Sequence, residues 1–182
     1  MHRFALICLL LAGPALADDK VDPKAALPML LKALAYDANF DARGWGQMSV
    51  LIVSDPDHGD SRGQVLDAVK DAEVKVKNRA VKFASAEIKD EASLQAAIDK
   101  SKCGVVVIAP GTTPEVVKAV SEVIQDNQIY GVALDGPTVE RFIPIGAESN
   151  GGKLRIVVNE KAASAVGARF ESSMLKLARV IQ

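Results

Sequence analysis

Aromatic residues make up only 4% of the 182-residue chain, and it has two histidines and two cysteines. So few aromatics argue against a surface that stacks bases or sugar rings. Acidic and basic residues nearly cancel, with 22 Lys and Arg against 23 Asp and Glu, and no basic stripe stands out. Nucleic acid is therefore not an expected partner. Several catalytic signatures are also missing. No Gly-x-Gly-x-x-Gly follows the first apolar strand, there is no Gly-Lys-Ser/Thr P-loop, and no Gly-x-Ser-x-Gly elbow presents a nucleophile. A receiver-type phosphorylation site needs an acceptor Asp where the third strand ends, but the chain reads Ala109-Pro110-Gly111 there. These absences predict a protein that is not an enzyme and needs no cofactor.

The N-terminus reads as a targeting segment. His2-Arg3 gives a weak positive start, residues 4–12 are apolar, and Ala15-Leu16-Ala17 supplies a small-x-small cleavage pattern before Asp18-Asp19. The apolar run is too short to span a bilayer. A signal peptide over residues 1–17 and a single mature domain over 18–182 follow, with the periplasm of a Gram-negative cell as destination and no membrane insertion after cleavage. Cleavage leaves Cys103 as the one cysteine, so no intramolecular disulfide can form. Its place just before the apolar run from Val105 predicts a buried, inert thiol; the competing reading is an intermolecular bridge.

Within the mature part, Pro23 or Pro28 can occupy the first turn of a helix, where its missing N–H costs nothing. Leu27, Leu30, Leu31, Leu34 and Ala38 form its apolar stripe, and Gly44-Trp45-Gly46 ends the element. Strand–helix pairs follow. Residues 48–53 form an apolar run, as expected of a strand buried on both faces, and Val65, Val69, Ala72 and Val76 mark the next helix. Residues 80–84 predict a strand at or near an edge. Leu94, Ala97 and Ile98 mark a helix capped by Asp90 or Ser93. Residues 105–109 predict the centre of the sheet. Thr112 or Thr113 caps a helix opened by Pro114, with Val117, Val120 and Ile124 facing inward. Residues 130–134 give a fourth strand. Asn150-Gly151-Gly152, between two β-type runs, predicts an antiparallel hairpin. Phe170, Met174, Leu175, Leu177, Ala178 and Ile181 recur at helical spacing opposite Glu171, Lys176 and Arg179, which predicts a closing amphipathic helix. The result is an α/β fold: three layers, a largely parallel sheet with helices on both faces, and a C-terminal β-hairpin and helix.

In such sheets ligands bind beyond the carboxyl ends of the strands, near a switch in strand order. Three loops belong there. The first holds Asp55, Asp57, His58 and Asp60; the second holds Thr112 and Thr113 before a helix; the third holds Asp135. One histidine among turn-forming Asp residues, with no second ligand cluster, predicts no metal site. The amides before the helix at Pro114 could hold an anion, and simple capping explains them equally well.

The tail carries a family resemblance. Pro144-Ile145-Gly146, Gly151-Gly152-Lys153-Leu154-Arg155-Ile156, Asn159, Gly167 and the run from Ser172-Ser173-Met174-Leu175 to Leu177-Ala178-Arg179-Val180 resemble the C-terminal signature of YfiR-like periplasmic proteins. In that family a glycine turn leads to a strand ending near Asn, a short helix and a terminal helix of Ser-Ser-x-Leu-Leu-Lys-Leu-Ala type. The opening helix is similar too, but the Trp-Pro that often follows it is replaced by Trp45-Gly46. The cysteine pairs that some members use in redox control are absent here. The resemblance implies a non-catalytic protein that binds the periplasmic part of an inner-membrane sensor or signalling protein, of the diguanylate cyclase class, and so acts on cyclic-di-GMP signalling. Homodimers are compatible with this reading. The alternative from the residues alone is a small-ligand-binding or transport-associated protein that uses the strand-end loops.

Overall fold

The computed structural model describes residues 20–43 and 47–182. The signal-peptide reading and the Gly44-Trp45-Gly46 stop lie outside the described residues. The first helix, α1 (Pro23–Ala33), starts at Pro23 and keeps Pro28 inside it, while Asp22 accepts the Lys24 N–H at 3.0 Å. Its stripe of Ala26, Leu27, Leu30, Leu31 and Ala33 is buried.

The strands are β1 (Met48–Ser54), β2 (Lys75–Val76), β3 (Arg79–Glu87), β4 (Val105–Ile108), β5 (Tyr130–Ala133), β6 (Ile145–Asn150), β7 (Lys153–Asn159) and β8 (Arg179–Ile181). They form one eight-stranded sheet in the order β2-β3-β1-β4-β5-β6-β7-β8. From β3 to β6 all neighbours are parallel, whereas β2 and β7 run antiparallel to β3 and β6. The strands of the parallel centre are apolar almost throughout, because both of their faces are covered. As expected, β4 sits in mid-sheet and β3 lies next to the edge.

The chain moves from β1 outward to β3 through α2 (Gly59–Val69), then back across β1 to β4 through α3 (Glu91–Ser101). It continues to β5 through α4 (Pro114–Asp126). Right-handed crossovers in opposite directions put α2 on one face and α3 with α4 on the other. Accordingly α1 packs on α2 and α3 on α4. The capping of α3 is reciprocal: Asp90 accepts the Ser93 N–H at 2.8 Å and Ser93 Oγ accepts the Asp90 N–H at 3.1 Å. Asn150 ends β6, and the turn residues Gly151 and Gly152 have φ of 58° and 74°, which only glycine adopts without strain. Beyond β7, Asn159 caps α6 (Glu160–Ala165) by accepting the Ala162 N–H at 3.0 Å.

Three expectations are corrected. The helix expected to carry Val76 ends at Val69, and Val76 lies in β2, the short arm of a hairpin turned by Lys77 and Asn78 at positive φ. Neither Thr112 nor Thr113 caps α4 with its side chain; Thr112 Oγ1 donates to the Ala109 carbonyl at 2.7 Å, and the cap comes from another loop. The closing amphipathic helix is a single turn, α7 (Ser172–Leu175), followed by β8 pairing parallel to β7. In this segment Met174 is buried, while Leu177, just past α7, is 78% exposed. The physical reason is the open edge of β7. A short helix is marginal by itself, whereas the β-branched Val180-Ile181 gains ladder hydrogen bonds and covers the edge.

Candidate functional site

The strand order reverses between β1 and β4, so the loops after these strands flank the switch point. The protein fills this crevice with its own atoms. Asp55, 4% exposed, follows β1 and takes donors from two loops. Its Oδ1 accepts the Asp57 N–H at 3.0 Å and the His58 N–H at 3.1 Å, and lies 2.7 Å from His58 Nδ1. Its Oδ2 accepts the Thr113 N–H at 2.7 Å, so Asp55 is the missing cap of α4. Burial alone would raise the Asp55 carboxyl, but the donors from Thr113, His58 and Asp57 outweigh it and hold it below the usual carboxylate range. A second link runs from Ser61 Oγ to the Pro110 carbonyl at 2.7 Å. The His58 ring then lies over Gly111, where φ is +87° and a Cβ would stand 2.8 Å from the ring. Asp55 and Thr113 thus belong to a weld between loops, with His58 as its lid.

The remaining expected site residues are spread out. Asp57 is exposed in the loop and Asp60 exposed in the first turn of α2, and Asp135 caps the short α5 (Gly136–Glu140) by accepting the Thr138 N–H at 2.7 Å. Among the described residues no group of three or more His, Cys, Asp or Glu is placed to hold a metal ion. No helix among them is long and apolar enough to cross a membrane.

Beside the weld opens a cleft of about 1020 Å³, still at the carboxyl edge of the parallel strands. Its floor is Pro110, Gly111, Leu134 and Asp135; its walls come from the start of α1, from Ser61 and Gln64 of α2, and from Glu148 and Ser149 of the hairpin. Gly136 lets the hairpin approach: a Cβ there would meet Arg179 and Glu148 at 3.0 and 3.1 Å. Arg179 is in turn held by Glu148 at 3.0 Å and Glu140 at 3.1 Å, so β8 braces this wall. Of the expected residues, Asp135 alone lines the cleft. Gln64, Glu148 and Ser149 could not be found from loops and motifs, because they reach the cleft from a helix face and a strand that only the folded topology brings together.

A second concave surface is apolar. α1 contributes Ala25, Pro28 and Met29, β7 contributes Ile156, and the C-terminal segment contributes Met174 and Leu177; Tyr36, 47% exposed, also lines it.

At the amino end of the sheet lies a buried polar clasp. The Tyr130 hydroxyl donates to Asp37, which also accepts the Arg169 N–H at 2.7 Å and the Asn39 N–H at 3.0 Å. Arg43 lies 3.5 Å from the same carboxylate and 4.2 Å above the Tyr130 ring. Burial pushes Asp37 up, but the Tyr130 and backbone donors together with Arg43 leave it below its ordinary value. The clasp ties the end of the first helical segment to the C-terminal part of the chain, where Asp37 forms a β-bridge with Phe170. Cys103 is buried at 5% exposure, and its burial pushes the thiol upward.

No protein-family model and no curated protein matches the chain. Solved structures do. An ABC domain in complex with L-Trp from Streptococcus pneumonia superposes with a TM-score of 0.61 at 16% identity, over 88% of this chain and 62% of that one. A ligand-free, open substrate-binding protein with adhesive properties from Clostridium difficile gives a TM-score of 0.54 at 16% identity, over 74% and 54%. A conserved domain protein from Vibrio cholerae gives 0.53 at 15%, also over 74% and 54%. The chain spans less than two thirds of these chains, and the likeness at such identities is one of α/β fold alone.

Proposed function

We propose that this chain is a non-catalytic, exported binding protein whose carboxyl-edge cleft takes a small polar ligand. The observation that carries the reading is the cleft itself. It sits where open parallel sheets hold ligands, and its volume suits a small molecule, since such sites run to about 300–1,000 Å³. It combines apolar lining from Pro110 and Leu134 with polar side chains from Asp135, Gln64 and Ser149. Fold relatives described as a substrate-binding protein and as a complex with L-Trp support the same reading, with amino acids as the first ligands to try.

The test is thermal denaturation of the mature protein against a panel of amino acids, short peptides and sugars. A ligand at a hundred times its Kd adds about 2.7 kcal/mol of stability. For a domain of this size that raises Tm by roughly 5–11 °C. Gln64→Trp, which removes one of the cleft's hydrogen-bonding groups and puts a bulky ring into it from the wall, should abolish or strongly reduce the shift while leaving the unliganded Tm close to wild type. A shift that survives Gln64→Trp undiminished would place the ligand elsewhere.

A second reading is favoured by the apolar groove. Ile156, Met174 and Leu177, which help to line it, fall within the tail that resembles YfiR-like proteins. A protein partner, the periplasmic part of an inner-membrane signalling protein of the diguanylate cyclase class, would bind there with Leu177 and Tyr36 as anchors. Capture from membranes should then recover such a cyclase with wild type and lose it with Leu177→Asp. Equal recovery by both would dismiss the groove as the docking surface.

A further inference from the structure

The strand β3 runs from Arg79 to Glu87, but its outer neighbour β2 is only two residues long and pairs with Ala80 and Arg79. Beyond it, the Val81 N–H still reaches the Val74 carbonyl at 3.1 Å. Val81 therefore turns its backbone N–H away from β1, and strand alternation turns Phe83, Ser85 and Glu87 the same way. Val81 to Glu87 pair on the inner side with Met48 to Ser54 of β1, and from Lys82 to Glu87, among the described residues, no strand covers the outer side. Ala84 and Ser85, in the middle of this edge, are exposed and small, so nothing bulky shields the backbone. The opposite edge of the sheet, β8, is three residues long and offers much less.

A row of unpaired N–H and C=O groups selects an extended strand as its partner. We propose that the partner is a second copy of this chain: two β3 edges pair antiparallel across a two-fold axis at Ser85, joining both sheets into one. An antiparallel edge is self-complementary under a two-fold, as a closed dimer requires. The charges permit it. Glu87 is 3.7 Å from Lys89 of its own chain, which leaves Lys82 as the strand's exposed cation within this stretch. Across the axis the two Lys82 side chains would lie about 20 Å apart along the strands, beyond the Debye length of about 10 Å at 0.1 M salt.

Sedimentation velocity of the mature protein across the micromolar range tests this. The expected result is a concentration-dependent monomer–dimer equilibrium. Ser85→Pro removes an outward N–H from each copy and leaves the β1 ladder intact, since the Ser85 N–H points away from β1. Two lost hydrogen bonds should weaken dimerisation by about thirtyfold. Ser85→Lys, which brings two like charges to the axis and alters no backbone group, should also shift the equilibrium to monomer. Both variants should keep wild-type circular dichroism. In a Cys103→Ala background, Ser85→Cys should form an interchain disulfide on mild oxidation. A monomer at every concentration would overturn the proposal, as would a dimer that survives Ser85→Lys or one that is broken by Leu177→Asp.

Discussion

Replacing Asp55 by alanine tests whether the crevice between β1 and β4 is closed by a structural weld. The carboxylate receives N–H donors from Asp57, His58 and Thr113 and faces His58 Nδ1. Loss of a helix cap costs about 0.5–2 kcal/mol. A hydrogen bond to a charged group contributes about 1.5–3 kcal/mol, and water can replace part of that at a site this near the surface. A total near 3 kcal/mol is expected for Asp55→Ala, hence a fall in Tm of roughly 6–12 °C. Asp55→Asn keeps the shape and one acceptor, so it should lose about half as much. The pH dependence follows from the lowered folded-state value. The unfolded carboxyl titrates near about 3.9. The charge therefore stabilises the fold fully above that value, and the contribution disappears as pH falls through the lower value of the folded state. Urea denaturation of wild type and Asp55→Asn at neutral pH and at acid pH measures this directly. The stability gap should be full at neutral pH and should close in acid. A Tm for Asp55→Ala equal to wild type within the scatter of surface substitutions, about 0.5 kcal/mol, would refute the weld.

Other substitutions probe the rest of the frame. Gly146→Ala places a Cβ 2.4 Å from Val139 Cγ2 and 2.5 Å from the Ala133 carbonyl, so it should cost at least the ~1–3 kcal/mol of overpacking, read from chemical denaturation. Asp37→Asn removes the charge that faces Arg43 in the buried clasp. It should lower stability at neutral pH by about 3 kcal/mol, as expected for one half of a buried pair, with the difference shrinking in acid as the wild-type carboxyl is protonated. Met174→Ala should cost about 2–5 kcal/mol because the side chain is buried, whereas Leu177→Ala should change Tm little because that side chain is exposed.

Much of the sheet was legible in the sequence. Apolar runs at residues 48–53 and 105–109 announce buried parallel strands, and Asn150-Gly151-Gly152 announces the hairpin, because these signals are local. The tail misled for an equally physical reason. Phe170, Met174, Leu175 and Ile181 do recur at helical spacing, but the open edge of β7 offered Val180 and Ile181 backbone partners that periodicity cannot weigh. The strand-end loops were placed correctly at the carboxyl edge, but the role of Asp55 was not visible. Its acceptor capacity is taken up by Thr113, 58 residues along the chain, and that contact exists only in the folded topology. The cleft beside it was hidden for the same reason, since Gln64, Glu148 and Ser149 carry no motif.

The binding claim is tested most directly by an NMR titration of the isotopically labelled mature protein with the same panel of amino acids, peptides and sugars. The expected result is saturable movement of the backbone amides of Gly111, Gly136 and Ser149 with one ligand class, absent or strongly reduced in Gln64→Trp. If no member of the panel moves these amides, or if the shifts gather instead around Tyr36 and Leu177, the carboxyl-edge cleft is not the binding site.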